Sequence, residues 1–330
     1  MNISIIGGGS WGVALANLLS DNKHHTFIYD NNEKVVDFIN TKHYCYQLDE
    51  YVNDDIIASS DIRYVIAKSR YILLTVPTSV LREVLRKIRE VLTSPKVFIN
   101  CSKGIEPGTF KRMSEVISEE IPSKYLKGIV SLTGPSHAEE VIVRNLTTIV
   151  SCSKDEELAK KVQHIFYNPK YFRVYSSTDL VGSEIGGSIK NVYAIASGLL
   201  NGCAIGDNGR AALITRSLVE MRRFYKFFRA SDNALFGLTG LGDLIVTTSS
   251  KHSRNYQAGF AISSNKDYKK VINSMTMVVE GIRTCEALHE LSIKEDIDAP
   301  ILNAVYDIVY LKKNPKTVIN KLLQRELKSE

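Results

Sequence analysis

The chain has 330 residues, of which 44% are hydrophobic and 24% charged, a composition typical of a globular protein with room for two domains. Its net charge of +6 comes from scattered lysines and arginines, so we expect acidic small molecules rather than nucleic acid as partners. Five cysteines without Cys-x-x-Cys spacing predict neither a disulfide framework nor a zinc site and favour a reducing, cytoplasmic location. The seven histidines form no metal-binding pattern, so no metal is expected, and we predict no targeting signal and no membrane span.

The first residues predict a dinucleotide-binding site. A short apolar strand over residues 3–6 runs into a glycine-rich turn and then into a helical pattern. Gly7, Gly9 and Gly12 fit G-x-G-x-x-G, in which the first glycine makes the turn, the second admits a pyrophosphate and the third lets the helix pack on the strand. A second strand, residues 26–30, ends in an acid eighteen positions after Gly12, which is the context that this pattern requires.

Two residues of this region have alternative interpretations. Asp30 ends the second strand, where a carboxylate hydrogen-bonds the adenosine ribose and repels a 2′-phosphate, so NAD is favoured over NADP. The alternative is that Asp30 only caps a helix beginning near Asn32. Trp11 either borders the cofactor diphosphate or packs between helix and sheet.

Four further strands, separated by helical patterns, are predicted over residues 71–76, 97–100, 129–133 and 147–150. Strands that alternate with helices predict an α/β fold with a doubly wound parallel sheet. Ligands bind outside the carboxyl ends of the strands in such sheets, so the turns after the first three of these strands are expected to converge on the cofactor. Lys103, in the second of these turns, is then a cation near the nicotinamide, and the alternative is an ordinary surface lysine.

Helices dominate beyond about residue 177, without a linker. We therefore predict a dinucleotide-binding domain over residues 1–178 and a helical domain over residues 179–330.

The helical domain begins with a helix over residues 179–200, and Lys190 lies off its apolar stripe. The lysine side chain leans over Gly186 and Gly187, one turn earlier. Each glycine costs a helix about 1 kcal/mol relative to alanine, so the pair predicts room for a ligand or for another backbone. The alternative is tight helix-to-sheet packing beside a solvated lysine.

Three stretches of the helical domain are polar where the packing of a helical bundle does not require polar residues. They cover residues 206–210, 237–247 and 251–255. The second carries Asp243 in a glycine-rich turn, with Thr247 one turn later. The third is rich in donors, with Arg254 between Ser253 and Asn255, and suits a phosphate dianion. The alternative for each stretch is a helix cap or a solvated loop.

Together these motifs resemble the bacterial glycerol-3-phosphate dehydrogenases that use NAD or NADP, and the resemblance runs nearly end to end. It rests on nine blocks in the same order, at residues 7–12, 100–104, 134–138, 184–191, 206–208, 211–216, 241–244, 253–255 and 278–281. It implies a Rossmann-like NAD(P)-binding domain, then an all-helical domain for substrate binding and catalysis, usually as a homodimer. The implied reaction is reversible hydride transfer between NAD(P)H and C2 of dihydroxyacetone phosphate, giving sn-glycerol 3-phosphate for glycerophospholipid biosynthesis.

The resemblance also implies roles for the residues at matching positions. Lys190 is the implied general acid/base. The implied substrate-binding residues are Lys103, Gly134, Ser136, Lys190, Asn191, Asp243, Thr247, Ser253, Arg254 and Asn255. The implied cofactor-binding residues, besides the three glycines and Asp30, are Ser10, Trp11, Lys103, Ala138, Arg254, Val278 and Glu280.

The chain departs from the family pattern at two places. Asp30 and Asn31 stand where many bacterial members have glycine followed by arginine or histidine, which puts NADP use in doubt. His137 stands where phenylalanine is usual, and nothing in the sequence explains it.

Two other functions compete with this interpretation. A hydroxyacid or phosphogluconate-type dehydrogenase would need a carboxylate site, whereas the Arg254 loop suits phosphate. A dinucleotide sensor without turnover would not need Lys103, Lys190 and Asp243 together.

Overall fold

A computed structural model describes residues 1–264, 279–324 and 326 of the chain. The described chain forms two compact units, which we call unit 1 (residues 1–103 and 111–184) and unit 2 (residues 104–110 and those from 185 onward). The division after Glu184 falls inside a helix, whereas the sequence placed the domain boundary in front of that helix. None of the helices within the described ranges is long and apolar enough to cross a membrane.

Unit 1 is built on a parallel-dominated sheet. Its described strands are β1 (Asn2–Ile6), β2 (His25–Tyr29), β3 (Tyr44–Cys45), β4 (Glu50–Tyr51), β5 (Ile57–Ser59), β6 (Tyr71–Leu74), β7 (Lys96–Asn100), β8 (Leu126–Thr133), β9 (Thr147–Cys152) and β10 (Phe172–Ser177). Eight of them form one sheet in the order β10-β9-β8-β7-β6-β1-β2-β5, and β3 pairs with β4 separately. The predicted fold class is confirmed for this unit.

The helices of unit 1 cover both faces of the sheet. They are α1 (Ser10–Asp21), α2 (Glu33–Lys42), α3 (Ile62–Ala67), α4 (Thr78–Val91), α5 (Met113–Glu120), α6 (Ala138–Ile142) and α7 (Glu156–Phe166). Successive side chains of a strand point to opposite faces, and in β6 Leu73 belongs to the core beneath α1 whereas Ile72 and Leu74 belong to the core beneath α4 and α5. Each fully buried leucine or isoleucine contributes about 1.5 to 3 kcal/mol, so both cores stabilise the sheet that positions the glycine turn.

One strand direction differs from the prediction. The strand over residues 147–150 was expected to be parallel, but β9 runs antiparallel to β8, and β10 runs parallel to β9. Parallel neighbours need a crossover, usually a full helix, whereas the connection from β8 to β9 contains only the five-residue α6. The chain therefore returns in the opposite direction.

Unit 2 is helical, as predicted. Its described helices are α8 (Leu180–Gly202, whose first turn is grouped with unit 1), α9 (Asp207–Phe227), α10 (Asp232–Phe236), a π-helical segment (Leu238–Gly242), α11 (Asp243–Ser249), α12 (Arg254–Ser264), α13 (Glu280–Lys294), α14 (Pro300–Val309) and α15 (Pro315–Leu323).

A buried carboxylate connects three helices of unit 2. Glu220 of α9 accepts hydrogen bonds from the backbone amides of Ile301 (2.8 Å) and Leu302 (2.9 Å) in the first turn of α14. It also accepts one from the hydroxyl of Tyr193 in α8 (3.2 Å). Burial raises the pKa of Glu220 to about 7, although these donors and Arg223 oppose the shift. The carboxyl is therefore protonated in the folded chain at pH values where it is ionised in the unfolded chain.

This raised pKa predicts how stability depends on pH. Between pH 4.5, the ordinary pKa of glutamate, and about pH 7, the folded chain holds a proton that the unfolded chain has lost. The free energy of unfolding of the wild type should therefore fall across this window relative to that of Glu220→Gln, by about 2 to 3 kcal/mol, and the difference should level off above it. Urea unfolding of both proteins from pH 5 to pH 8 measures this difference, and a constant difference would contradict the prediction.

Candidate active site

The turn between β1 and α1 has the backbone geometry that a bound pyrophosphate requires. Gly7 has a φ of +110°, in the region that favours glycine. A Cβ on Gly12 would lie 2.0 Å from the carbonyl oxygen of Gly7, so only glycine lets α1 begin this close to β1. A Cβ on Gly9 would meet no atom within 4 Å, so the turn leaves open space there. The local geometry of the turn thus agrees with the glycine pattern, and the contact of the three glycines with a pyrophosphate stays a prediction.

Ser10, the first residue of α1, supports the same use of this turn. Its hydroxyl is buried and has no hydrogen-bond partner among the residues that the structure describes. A buried polar atom left unpaired costs about 1 to 3 kcal/mol, and the first amides of a helix favour an anion. A pyrophosphate would accept hydrogen bonds from the Ser10 hydroxyl and from the first amides of α1, so this turn fits a dinucleotide.

Trp11 is in a packing position. Its ring packs against the core beneath α1. Cys101, directly after β7, belongs to the same core, and burial raises the pKa of its thiol to about 12, so the thiol stays neutral. The structure favours the packing alternative for Trp11, and a contact with the cofactor remains a prediction.

Asp30 is fixed against the glycine turn. One carboxylate oxygen accepts the backbone amide of Gly8 (2.7 Å), and the other accepts that of Asn32 (2.9 Å). Asp30 does not cap α2, because the cap is Asn32, whose side chain accepts the amide of Lys34 (3.0 Å). The helix-cap alternative is therefore wrong. A carboxylate has about four acceptor positions, so Asp30 retains acceptors for a further donor such as a ribose hydroxyl.

The turns that follow β6, β7 and β8 meet, as predicted. The ammonium of Lys103 donates to the carbonyl oxygen of Gly134 (3.1 Å), and the hydroxyl of Ser136 donates to the same oxygen (3.0 Å). Ser102, beside Lys103, donates to the carbonyl oxygen of Val76 (2.6 Å). Gly134 has a φ of +146°, in the region that favours glycine. Lys103 is thus a partly buried cation tied to a neighbouring turn.

Three more residues are predicted near the cofactor, and the structure describes two of them. Ala138 is buried and begins α6, directly after the Gly134 turn. Glu280 begins α13 in unit 2. Val278 lies outside the residues that the structure describes.

Lys190 is the centre of the candidate site in unit 2. It is only 5% exposed, and its Nζ donates to the carboxylate of Asp243 (2.5 Å) and to the hydroxyl of Thr247 (2.6 Å). The alternative of a solvated lysine is therefore wrong. Burying an ammonium is costly unless a counter-charge and hydrogen bonds compensate it, and Asp243 and Thr247 provide both.

The predicted room around Gly186 is occupied by another segment of unit 2. A Cβ on Gly186 would lie 2.4 Å from the carbonyl oxygen of Thr239 and 2.4 Å from the hydroxyl of Tyr225. Thr239 belongs to the π-helical segment that leads into Asp243. At this glycine, another backbone rather than a ligand uses the space, and the close approach brings Asp243 to Lys190.

The predicted phosphate loop divides into residues with different tasks. The hydroxyl of Ser253 accepts the amide of Tyr256 (3.3 Å) at the start of α12, and Asn255 donates to the side chain of Asn191 (3.0 Å). Arg254 is half-buried at the first position of α12, and its side chain forms no hydrogen bond or ion pair with the residues that the structure describes. With respect to these residues, its guanidinium donors are left for solvent or a ligand.

Gly281, to which the sequence assigned no role, is required by this arrangement. Gly281 donates its amide to the side chain of Asn255 (2.9 Å), and a Cβ there would lie 2.6 Å from the carbonyl oxygen of Asn191. The resemblance block at residues 278–281 includes this glycine, but the sequence alone could not show which helix it faces.

Two models of one protein family match this chain. The model of the NAD-dependent glycerol-3-phosphate dehydrogenase N-terminus matches residues 2–159, and the model of the C-terminus of the same family matches residues 179–320. The chain is 45% identical over 333 residues to a glycerol-3-phosphate dehydrogenase (NAD(P)+) of Bacillus cereus strain B4264, covering 99% of this chain and 97% of the relative. A Bacillus thuringiensis relative of the same name is 44% identical over the same share of both chains.

Solved structures are similar over the full length. A glycerol-3-phosphate dehydrogenase from Coxiella burnetii matches with a TM-score of 0.92 and 29% identity, covering 98% of this chain and 99% of that one. One from Plasmodium falciparum matches with a TM-score of 0.87 and 22% identity, covering 100% and 97%, and shows the fold alone.

Proposed function

Because the chain belongs to the NAD-dependent glycerol-3-phosphate dehydrogenase family, we propose that this oxidoreductase reversibly transfers hydride between NAD(P)H and C2 of dihydroxyacetone phosphate. The product of reduction is sn-glycerol 3-phosphate, a precursor of glycerophospholipids. The observation that carries the proposal is the buried Lys190 ammonium, held by Asp243 and Thr247, in the unit whose Arg254 begins a helix. A homodimer, which the family resemblance implies, is part of the same proposal.

The dinucleotide would be held by unit 1, and when bound it supplies or accepts the hydride. The glycine turn and Ser10 would hold its diphosphate, and Asp30 would hold its adenosine ribose. The resemblance adds Lys103 and Ala138 from unit 1, Arg254 and Glu280 from unit 2, and Val278, which lies outside the described residues.

Lys190 would act on the substrate oxygen. Reduction of a ketone places negative charge on that oxygen, and an ammonium stabilises this charge and then donates the proton that completes the alcohol. Thr247 donates its own hydroxyl hydrogen to the carbonyl oxygen of Asp243 (2.6 Å), which leaves its lone pair for Lys190. The two partners therefore fix the direction of the ammonium.

Arg254 would bind the phosphate of the substrate. Its planar guanidinium offers two parallel donors to a phosphate, and the first amides of α12 favour negative charge. Ser253 can still donate its hydroxyl hydrogen, because its oxygen acts as an acceptor in the helix cap. Asn255 retains one amide hydrogen beyond the one given to Asn191.

An absorbance assay tests the proposed reaction. The purified protein is mixed with NADH and, in separate reactions, with dihydroxyacetone phosphate, a 2-oxo acid or a 3-oxo sugar acid phosphate. We expect loss of the nicotinamide absorbance with dihydroxyacetone phosphate alone and formation of sn-glycerol 3-phosphate. Turnover of an oxo acid instead would favour the hydroxyacid or phosphogluconate-type alternative, and dinucleotide binding without turnover would favour the sensor.

We further propose that the enzyme prefers NADH to NADPH. Asp30 is held at the glycine turn by the amides of Gly8 and Asn32, where it would pair with a ribose hydroxyl but repel a 2′-phosphate. Lys34, a cation near this position, lies over the ring of Tyr46 at 5.2 Å. Because the ring already holds the Lys34 ammonium, this cation is less available to neutralise a 2′-phosphate.

The expected preference is about thirtyfold to a hundredfold in kcat/KM, because one charged hydrogen bond and the repulsion together amount to about 2 to 3 kcal/mol. The double variant Asp30→Gly/Asn31→Arg should bring NADPH close to or above NADH. Asn31→Arg alone is the matched control and should shift the ratio less, since Asp30 remains. Equal use of both cofactors by the wild type would contradict this role of Asp30.

A further inference from the structure

Helices α8 and α12 of unit 2 touch backbone to backbone. A Cβ on Gly198 would lie 2.0 Å from the carbonyl oxygen of Tyr256, and a Cβ on Gly259 would lie 2.0 Å from that of Ile195. Both obstacles are main-chain atoms, so no change of side-chain rotamer relieves them. The side chains at a helix contact set the distance between the helix axes, and here glycines reduce that distance.

The contact extends along both helices. The side chain of Asn255 in α12 donates to that of Asn191 in α8 (3.0 Å) at one end. At the other end, a Cβ on Gly202 would lie 2.6 Å from the Cβ of Ser263. From the first pair to the last the residue numbers rise on both helices, so the helices run in the same general direction, and they cross at the glycines in between, where the order of the partners is reversed.

The two candidate substrate groups stand at this hydrogen-bonded end. Lys190 directly precedes Asn191, and Arg254 directly precedes Asn255. Each is carried on a continuous helix, of 23 residues for α8 and 11 for α12. A change in the separation of the helices is therefore a change in the separation of these two side chains.

We infer that the glycine contact between α8 and α12 sets the distance between Lys190 and Arg254 and thereby selects ketone phosphates by the length of chain between carbonyl and phosphate. The inference rests on the proposed function, in which Lys190 meets the carbonyl oxygen and Arg254 the phosphate. Gly198 and Gly259 are thus positioning residues that determine specificity without touching the substrate. One added methylene lengthens an extended substrate by about 1.3 Å, which is comparable to the change that one Cβ in the contact would impose.

Gly259→Ala tests the inference. Carbon-to-oxygen contacts under 3.0 Å do not occur, so the helices must separate by about 1 Å. A misplacement of this size can cost about a hundredfold, and we expect that loss in kcat/KM for dihydroxyacetone phosphate. The homologue with one more methylene between carbonyl and phosphate should lose much less, so the ratio of the two kcat/KM values should fall at least about tenfold.

Gly128→Ala is the matched control in unit 1. Its Cβ would meet only the end of the Leu158 side chain, at 2.4 Å, which can rotate away. Activity on both ketones can fall with stability in this variant, but their ratio should not change.

Gly202→Ala provides a milder variant with a rescue, should Gly259→Ala fold poorly. Removing the obstructing side chain in Gly202→Ala/Ser263→Gly leaves the carbonyl oxygen of Phe260, at 3.0 Å, as the nearest obstacle. We expect the single variant to lower the ratio and the double variant to restore it, although a further helical glycine lowers stability. A role in stability alone would leave the ratio of the two kcat/KM values unchanged in both variants.

The outcomes separate the two proposals. A wild type that reduces dihydroxyacetone phosphate, with folded glycine variants whose ratio is unchanged, overturns length selection but not the proposed function. A wild type that reduces neither ketone phosphate overturns both.

Discussion

Replacing Lys190 with alanine is expected to lower kcat by about 10²- to 10⁴-fold, the usual contribution of a general acid or base. The ammonium is buried beside Asp243 and Thr247, where it would be the group that protonates the substrate oxygen. Binding of NADH, followed by its fluorescence, should survive, because the glycine turn and Asp30 belong to unit 1. Steady-state kinetics and a fluorescence titration together measure both outcomes.

This variant needs a control for stability. Removing Lys190 takes away the buried ammonium that pairs with the carboxylate of Asp243, and breaking such a pair typically costs about 3 to 5 kcal/mol. The double variant Lys190→Met/Asp243→Asn removes both charges and should be folded but equally inactive. Near-normal kcat in either protein would remove Lys190 from the mechanism.

The residues of the glycine turn could be predicted from sequence because the contacts that require glycine there join residues close together in the chain. Gly7 and Gly12 are five positions apart, and the close contact between them follows from a strand that turns directly into a helix. The contact between Lys103 and Gly134 could likewise be predicted, because ligand sites in parallel sheets lie at the carboxyl ends of the strands and this prediction needs only the order of the strands. By contrast, the direction of β9 depends on whether the connection from β8 is long enough for a full crossover helix. The hydrophobic periodicity of the strand itself does not reveal this.

The surroundings of Lys190 could be predicted only in part. The family resemblance named Asp243 and Thr247, but the alternative of a solvated lysine stayed open, because burial is decided by residues 53 and 57 positions away. The glycine pair before Lys190 predicted that another group approaches the helix closely, but it did not show that Thr239 and Tyr225 are those groups. The sequence presents Ser253 and Asn255 only as possible phosphate donors. It did not show that the oxygen of Ser253 also caps α12 or that the oxygen of Asn255 accepts the amide of Gly281.

Arg254→Ala is expected to weaken use of dihydroxyacetone phosphate far more than use of dihydroxyacetone. Loss of one partner of a hydrogen-bonded charge pair costs about 2 to 5 kcal/mol, which is about thirtyfold or more in kcat/KM. The unphosphorylated ketone gains nothing from the guanidinium and should be nearly unaffected. The wild type should therefore discriminate strongly between the two ketones, and the variant much less.

Two neighbouring variants identify which property of Arg254 matters. Arg254→Lys keeps the charge but loses the planar pair of donors, so it should recover only part of the discrimination. Lys251→Ala removes an exposed cation from the same loop and should leave the ratio of the two kcat/KM values near that of the wild type, because screening weakens exposed charges. If Arg254→Ala lowers kcat/KM for both ketones by the same factor, its guanidinium acts on the cofactor rather than on the substrate phosphate. A rise in the KM for NADH would then accompany that loss.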